Sequence, residues 1–170
     1  VYIRQLPQED LAERLKAVLD ELRGRREEPD APPESIDTEY LRTIAPLVQD
    51  RLKTLNGEEV WNLCAFFFLE TPAYPEKLPL PKGMGSETAR TALEATATAL
   101  EPLEPFDVDS LEDTLRPLAE KLSLKTGELF GAIRVAVTGR TAAPPLFDTL
   151  AVLGRERVLH RLRHTIGLLA

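Results

Sequence analysis

The chain has 170 residues, 43% of them hydrophobic, and a formal net charge of −7. That is enough apolar material to bury a core in one or two domains, while no apolar run approaches the ~20 residues of a bilayer-spanning helix. A single cysteine, Cys64, excludes an internal disulfide and any multi-cysteine zinc site, which points to an intracellular compartment. No signal-peptide pattern opens the sequence, and a first residue of Val1 rather than Met leads us to expect a piece of a longer protein.

In chain order, Val1-Tyr2-Ile3-Arg4 is a short apolar start. A helix is expected from Pro7 to about Arg25. Pro7 suits a first turn, Glu9 and Asp10 suit the positive helix end, and Leu11, Leu15, Val18, Leu19 and Leu22 make an apolar stripe. Residues Gly24 to Glu34, with Pro29, Pro32 and Pro33 among charges, read as an exposed linker. Asp37 or Thr38 can cap a second helix whose inward face is Tyr40, Leu41, Ile44, Leu47, Val48 and Leu52, with Pro46 expected to bend or split it. Asn56 followed by Glu59 caps a third helix running through Phe68. Its Val60, Trp61, Leu63, Cys64, Phe66, Phe67 and Phe68 predict the most buried helix of the chain. An aromatic run could instead be a base-stacking platform, but no basic residue is interleaved, which favours core packing.

Thr71 to Gly85 holds Pro72, Pro75, Pro79 and Pro81 and should be extended and irregular. Its P-x-x-P spacing (Pro72, Pro75) is of the sort that arises by chance in Pro-rich connectors. An Ala- and Thr-rich helix follows from Ser86 to about Glu101, and Asp109 to Glu112 reads as a capping box opening a helix through Leu122. Lys125 and Gly127 lead into a helix in which Phe130, Ile133 and Val137 fall at core spacing, with Arg134 beside them and Gly139 at its end. Pro144 and Pro145 open a short helix that stops at Gly154, and a last one runs from about Arg155 to Leu169. No period-two strand appears. The expected fold is all-α, seven or eight helices in two packed subdomains, 1–85 and 86–170.

The negative charge argues against nucleic acid until its distribution is considered. Residues 131–170 carry six arginines against Asp148 and Glu156, a net of +4, which leaves −11 for residues 1–130. The last quarter is a basic island on an acidic body; its plain reading is an amphipathic helix with a solvated arginine face. Enzyme signatures are missing: no G-x-G-x-x-G, no P-loop, no G-x-S-x-G. His160 and His164 lie four apart, but no third ligand accompanies them and neighbouring arginines repel a cation. Lys125-Thr126-Gly127 matches a penicillin-binding tripeptide without the rest of that signature.

The ordered series Ile133-Arg134, Ala136, Thr138-Gly139, Pro144, Leu146, Leu153-Gly154 and Arg161-Leu162 resembles the C-terminal anticodon-binding domain of bacterial glutamyl-tRNA synthetases. There the pattern is Leu-Arg-x-Ala-x-Thr-Gly, a variable turn, Pro-x-Leu, Leu-Gly and Arg-Leu, and the likeness extends over the whole chain. The resemblance implies a parent ligase that attaches glutamate to tRNA(Glu) with ATP and Mg2+ in an N-terminal domain bearing HIGH- and KMSKS-type signatures, which this sequence lacks. It implies for this chain no catalytic residue, cofactor or metal, a cytoplasmic monomer, no membrane or DNA partner, and contact with the tRNA(Glu) anticodon loop and the rest of the synthetase.

The resemblance also assigns residues. Arg51 takes the place of the arginine that separates cytosine from guanine at the third anticodon base, which marks the form charging only glutamate tRNA. Its alternative is an exposed arginine paired with Asp50 or Glu58. Arg134 matches the contact to the other anticodon bases, and Thr126, Gly131, Ala143, Pro144 and Leu146 fall where the family lines the rest of the pocket. Leu146 would supply apolar surface to a base face. Ala143 replaces a frequent hydroxyl residue and Pro145 a frequent glycine, which removes a side-chain hydrogen bond and a backbone donor. Two rival readings stand: a non-discriminating synthetase domain, and a helical protein-interaction scaffold without RNA binding. Bacterial glutamine-tRNA synthetases read anticodons with β-barrels, which a strandless sequence does not form.

Overall fold

A computed structural model describes residues 2–27 and 30–170; Val1 and Pro29, both used in reading the sequence, lie outside the described residues. The described residues form eight α-helices and two 3-10 turns, with no strand among them: an all-α protein. The helices are α1 (Gln8–Arg23), α2 (Thr38–Val48), α3 (Gly57–Phe68), α4 (Ser86–Leu100), α5 (Val108–Lys121), α6 (Thr126–Thr138), α7 (Leu146–Leu153) and α8 (Arg155–Leu168). They fall into two compact units divided between Leu69 and Glu70, ahead of the Pro-rich segment rather than behind it.

In the first unit α1 packs on α2 and α3. Leu11, Leu15, Leu19 and Leu22 of α1 are buried, four apart or nearly so, as an amphipathic stripe requires. Asp37 caps α2 by accepting from the Glu39 amide at 3.0 Å, a contact that satisfies one of the donors a helix start leaves unpaired. Pro46 does not split α2. The helix carries past it to Val48 and tightens into a 3-10 turn at Gln49–Arg51. An exposed proline in the last turn forfeits one hydrogen bond where the ladder is ending anyway.

The aromatic run of α3 is core. Val60, Trp61, Cys64, Phe66 and Phe67 are buried, Phe66 and Phe67 pack ring on ring at 4.2 Å between centroids, and the Tyr40 hydroxyl donates to the Phe67 carbonyl at 2.8 Å. Asn56 caps α3 through the Glu58 amide. Glu59 does not close the expected box on Asn56. Its carboxylate reaches farther back, accepting from the Lys53 and Thr54 amides at 2.9 Å each and from the Thr54 hydroxyl. The Thr54 hydroxyl and then the Lys53 amide hold the Glu59 carboxyl below its ordinary pKa.

The expected exposed linker is tied down at its far end. The Trp61 indole donates to the Asp30 carbonyl at 2.9 Å and Arg23 donates to the Pro32 carbonyl at 2.5 Å. Ala31 and Ile36 are buried beneath these bonds. A buried indole N–H needs an acceptor, and the linker's backbone supplies it.

In the second unit α4 packs against α5, α6 and α8, while α7 is held between α5 and α8. The cap of α5 is Asp107, which accepts from the Ser110 amide at 2.9 Å, two residues ahead of the expected Asp109. Either aspartate fits the spacing rule, but the backbone turns extended at Asp107 and its carboxylate meets the third helical amide, which lowers its pKa. Lys125 opens α6, where Glu128 accepts from the Lys125 amide at 2.9 Å. The Pro-rich segment runs back along α6 as a strap. Its Ala73 lies against Gly139 and its Pro81 against Gly131.

Candidate nucleic-acid interface

The second half of helix α6 is nearly sealed. From Ala132 to Gly139, Arg134 is the one residue that is not buried. Gly139 ends the helix in the left-handed region at φ 73°, where a side chain is disfavoured. The last carbonyls of a helix lack intrahelical donors, and here they are covered by protein, so side chains must serve them. Tyr74 of the strap donates to the Ala136 carbonyl at 2.5 Å. Arg161 of α8 donates through Nη1 to the Val137 carbonyl at 2.7 Å, and the Thr138 hydroxyl donates back to the Arg134 carbonyl at 2.7 Å. Burial pushes the Tyr74 phenol above its ordinary pKa, with Thr165 and Arg161 pulling the other way.

The basic island is therefore not simply a solvated face. Arg161 is 0% exposed and serves the end of α6, and Arg155 donates to the Leu103 carbonyl at 2.7 Å. Arg157 and Arg163 of α8 are exposed with His160 and His164. The His164 ring stacks on Tyr74 with centroids 5.4 Å apart.

The candidate residues of the second unit cluster along α6 and its link to α7. Thr126 is exposed at the start of α6, Gly131 and Arg134 are half-buried along it, and Ala143 is half-buried in the link. Pro144 is buried, and Leu146 is only 5% exposed, so most of its surface already packs against protein rather than standing ready for a base. The Thr149 hydroxyl, which donates to the Pro145 carbonyl at 2.8 Å, fixes the start of α7. A Cβ at Gly131 would sit 3.0 Å from the Pro81 ring, so this position admits the strap and nothing larger.

Two aromatic residues that the sequence alone did not assign to the site stand in it. Phe130 and Phe147 meet edge to face with centroids 5.2 Å apart, both half-buried. The Arg116 guanidinium of α5 lies over both rings, 5.6 and 5.8 Å from their centroids, and is anchored by Glu112 at 2.6 Å. Phe130 was legible as a core position by spacing; its place midway between Thr126 and Arg134, four residues from each, was the signal that it belongs to the same stripe.

Arg51 belongs to the first unit and is exposed in the 3-10 turn after α2. That turn is braced by the chain's start. Buried Gln49 donates to the Ile3 and Leu6 carbonyls at 2.8 and 2.9 Å, and Arg4 donates to the Asp50 carbonyl at 3.2 Å. Glu58, one of the carboxylates expected to pair with Arg51, is held by Arg26.

A family model described as an anticodon binding domain matches residues 9–166. A glutamate–tRNA ligase of Roseiflexus castenholzii is 45% identical over 170 residues, covering 100% of this chain and 32% of that protein. Another, from Chloroflexus aurantiacus, is 40% identical over 174 residues, covering 99% of this chain and 33% of that protein. The chain thus spans about a third of the curated relatives it matches. Among solved structures, a glutamate tRNA ligase of Elizabethkingia meningosepticum superposes with a TM-score of 0.77 at 24% identity, covering 99% of this chain and 31% of that one, a likeness of fold. Among the described residues no helix is long and apolar enough to cross a membrane.

Proposed function

The chain belongs to the anticodon-binding domain family, and from its glutamate–tRNA ligase relatives we propose that it recognises the anticodon loop of tRNA(Glu) for a cytoplasmic, monomeric ligase. In that parent, glutamate is joined to tRNA with ATP and Mg2+ by a catalytic region whose signatures this sequence lacks. The observation that supports this reading most directly is Arg134. It is a donor-only cation, half-buried among the otherwise buried residues from Ala132 to Gly139, with its backbone clamped by Thr138. Preorganised donors of that kind recognise the edges of unstacked bases without paying much ordering entropy.

Thr126, Gly131, Ala143, Pro144 and Leu146 complete the proposed site around Arg134, the last two by shaping the link between α6 and α7 rather than by open contact. Arg51 is assigned the third anticodon base. Cytosine offers acceptors at N3 and O2, where guanine offers N–H donors, so a guanidinium pairs with the first and is repelled by the second. The chain accordingly favours glutamate over glutamine anticodons.

The test uses hairpin RNAs carrying the two anticodons, which differ at that base alone. The chain should bind the glutamate hairpin with an affinity that falls with salt as phosphate counterions are released. Arg134→Gln should weaken both hairpins, while Arg51→Gln should abolish a preference of about five- to a hundred-fold, the range of a charged base contact. Salt-insensitive or absent RNA binding would instead identify a protein-interaction scaffold, a role the acidic first 130 residues would suit. Equal binding of both hairpins by the unaltered chain would make it non-discriminating.

A further inference from the structure

Beyond the residues assigned so far, we infer that Phe130, Phe147 and Arg116 form a stacking site for one unpaired RNA base next to the base met by Arg134. The inference rests on the anticodon-binding reading and adds a subsite to it. Three helices bring the group together: Arg116 from α5, Phe130 from α6 and Phe147 from α7.

The placement carries the inference. Thr126, Phe130 and Arg134 succeed one another at four-residue steps, so they share a stripe of α6 with about 6 Å between neighbouring Cβ atoms. That interval is close to what adjacent splayed nucleotides need. Phe147 follows Leu146 directly in the chain, and its ring meets that of Phe130 edge to face, 5.2 Å between centroids. Both rings are half-buried, so part of each reaches the surface. Where the rings emerge they are covered by a guanidinium, 5.6 and 5.8 Å from the two centroids, whose own side chain is 53% exposed.

The chemistry is that of single-stranded recognition. Every base has a π-face, and bases taken out of a stack are held on aromatic rings or on planar guanidinium groups. Arg116 offers such a plane, oriented by Glu112 and by the two rings beneath it. A base lies on the outer face of this plane, which the two rings support from beneath. The contact is indifferent to base identity. It adds affinity and fixes the loop so that Arg134 meets the neighbouring base edge.

The chain is titrated into the glutamate-anticodon hairpin with 2-aminopurine substituted at each loop position in turn, and fluorescence quenching is read. The unaltered chain should quench one loop position. Phe147→Leu should lose that quench and weaken binding by about five- to a hundred-fold, the range expected for removing one stacked base contact. Arg116→Lys keeps the charge and removes the plane; it should lose most of the quench while the salt dependence stays the same. Far-UV circular dichroism checks Phe147→Leu for folding, and Arg116→Lys, at an exposed position, decides the matter should that variant unfold. Binding without quenching at any loop position overturns the stacking site and leaves the anticodon reading standing. So does an undiminished quench in both variants. Failure of the unaltered chain to bind the hairpin overturns both together.

Discussion

Gly139→Ala is the substitution with the sharpest expected result. Two effects add. A residue with a side chain held at φ 73° is destabilised by about 1–2 kcal/mol. Its Cβ would also lie 2.3 Å from the Ala73 carbonyl oxygen and 3.2 Å from the carbonyl carbon, whereas carbon and oxygen normally approach to about 3.3 Å. Backbone must therefore move by roughly 1 Å, and the residue that follows Ala73 is Tyr74, whose hydroxyl serves the covered Ala136 carbonyl. Loss of that bond costs about 1–3 kcal/mol. Together the change should remove about 2–5 kcal/mol and lower the unfolding midpoint of the second unit by at least about 8 °C.

Gly167→Ala supplies the contrast. Gly167 lies in α8, and nothing stands within 4 Å of the place its methyl group would take, so alanine should stabilise by about 0.5 kcal/mol. Both variants are measured by urea and thermal unfolding followed by far-UV circular dichroism, because Trp61, the only tryptophan, reports on the first unit. A Gly139→Ala variant within about 0.5 kcal/mol of the original chain, or shifts of one sign and size in both variants, would refute the close approach of strap and helix.

Glu59→Gln should destabilise the first unit at neutral pH and lose its effect in acid. The folded carboxyl titrates below its ordinary value of 4.5, so its stabilisation is present above that value and disappears as pH falls through the lower folded pKa; unfolding of both forms from pH 7 to pH 3 measures it. Arg161→Met should lower stability by about 2–4 kcal/mol, since it keeps much of the packing volume but leaves the Val137 carbonyl covered and unserved; chemical denaturation checks this. Arg51→Gln should leave the unfolding midpoint within about 0.5 kcal/mol while relaxing anticodon choice. In the parent ligase this is read as glutamylation of glutamine tRNA, and an unchanged choice would return Arg51 to an ordinary surface role.

Much of the fold was legible because the signals were local. Asn56 and Asp37 announce their helices with side chains that reach two residues, and Gly139 and Gly154 stop theirs by backbone conformation. The errors came where distant groups decide. Asp107 and Asp109 compete for one cap on equal sequence terms, and only the turn of the preceding chain selects between them. Pro46 is harmless because α2 gives way to a 3-10 turn three residues later. The linker after α1 looked free until Trp61 and Arg23 took its carbonyls as acceptors.

For the candidate site, Arg134 was legible as a cation out of place on an apolar helix. The burial of Leu146 and Pro144 was not, because it depends on how α7 lies against its neighbours. Phe130 illustrates the limit of periodicity. A residue at core spacing near a helix start can still emerge at the surface, and spacing alone does not tell which end is covered.

The strap along α6 touches the helix at two glycines eight residues apart, meeting Gly139 with Ala73 and Gly131 with Pro81, itself eight residues from Ala73. The two runs are antiparallel, and the glycines act as notches that accept them in a single register. If α6 slid or turned by one residue, Ala132 and Arg140 would come under the strap, where no room exists for them. Arg134 lies between the notches. The place of its backbone along the strap is therefore set by two positions that have no side chain.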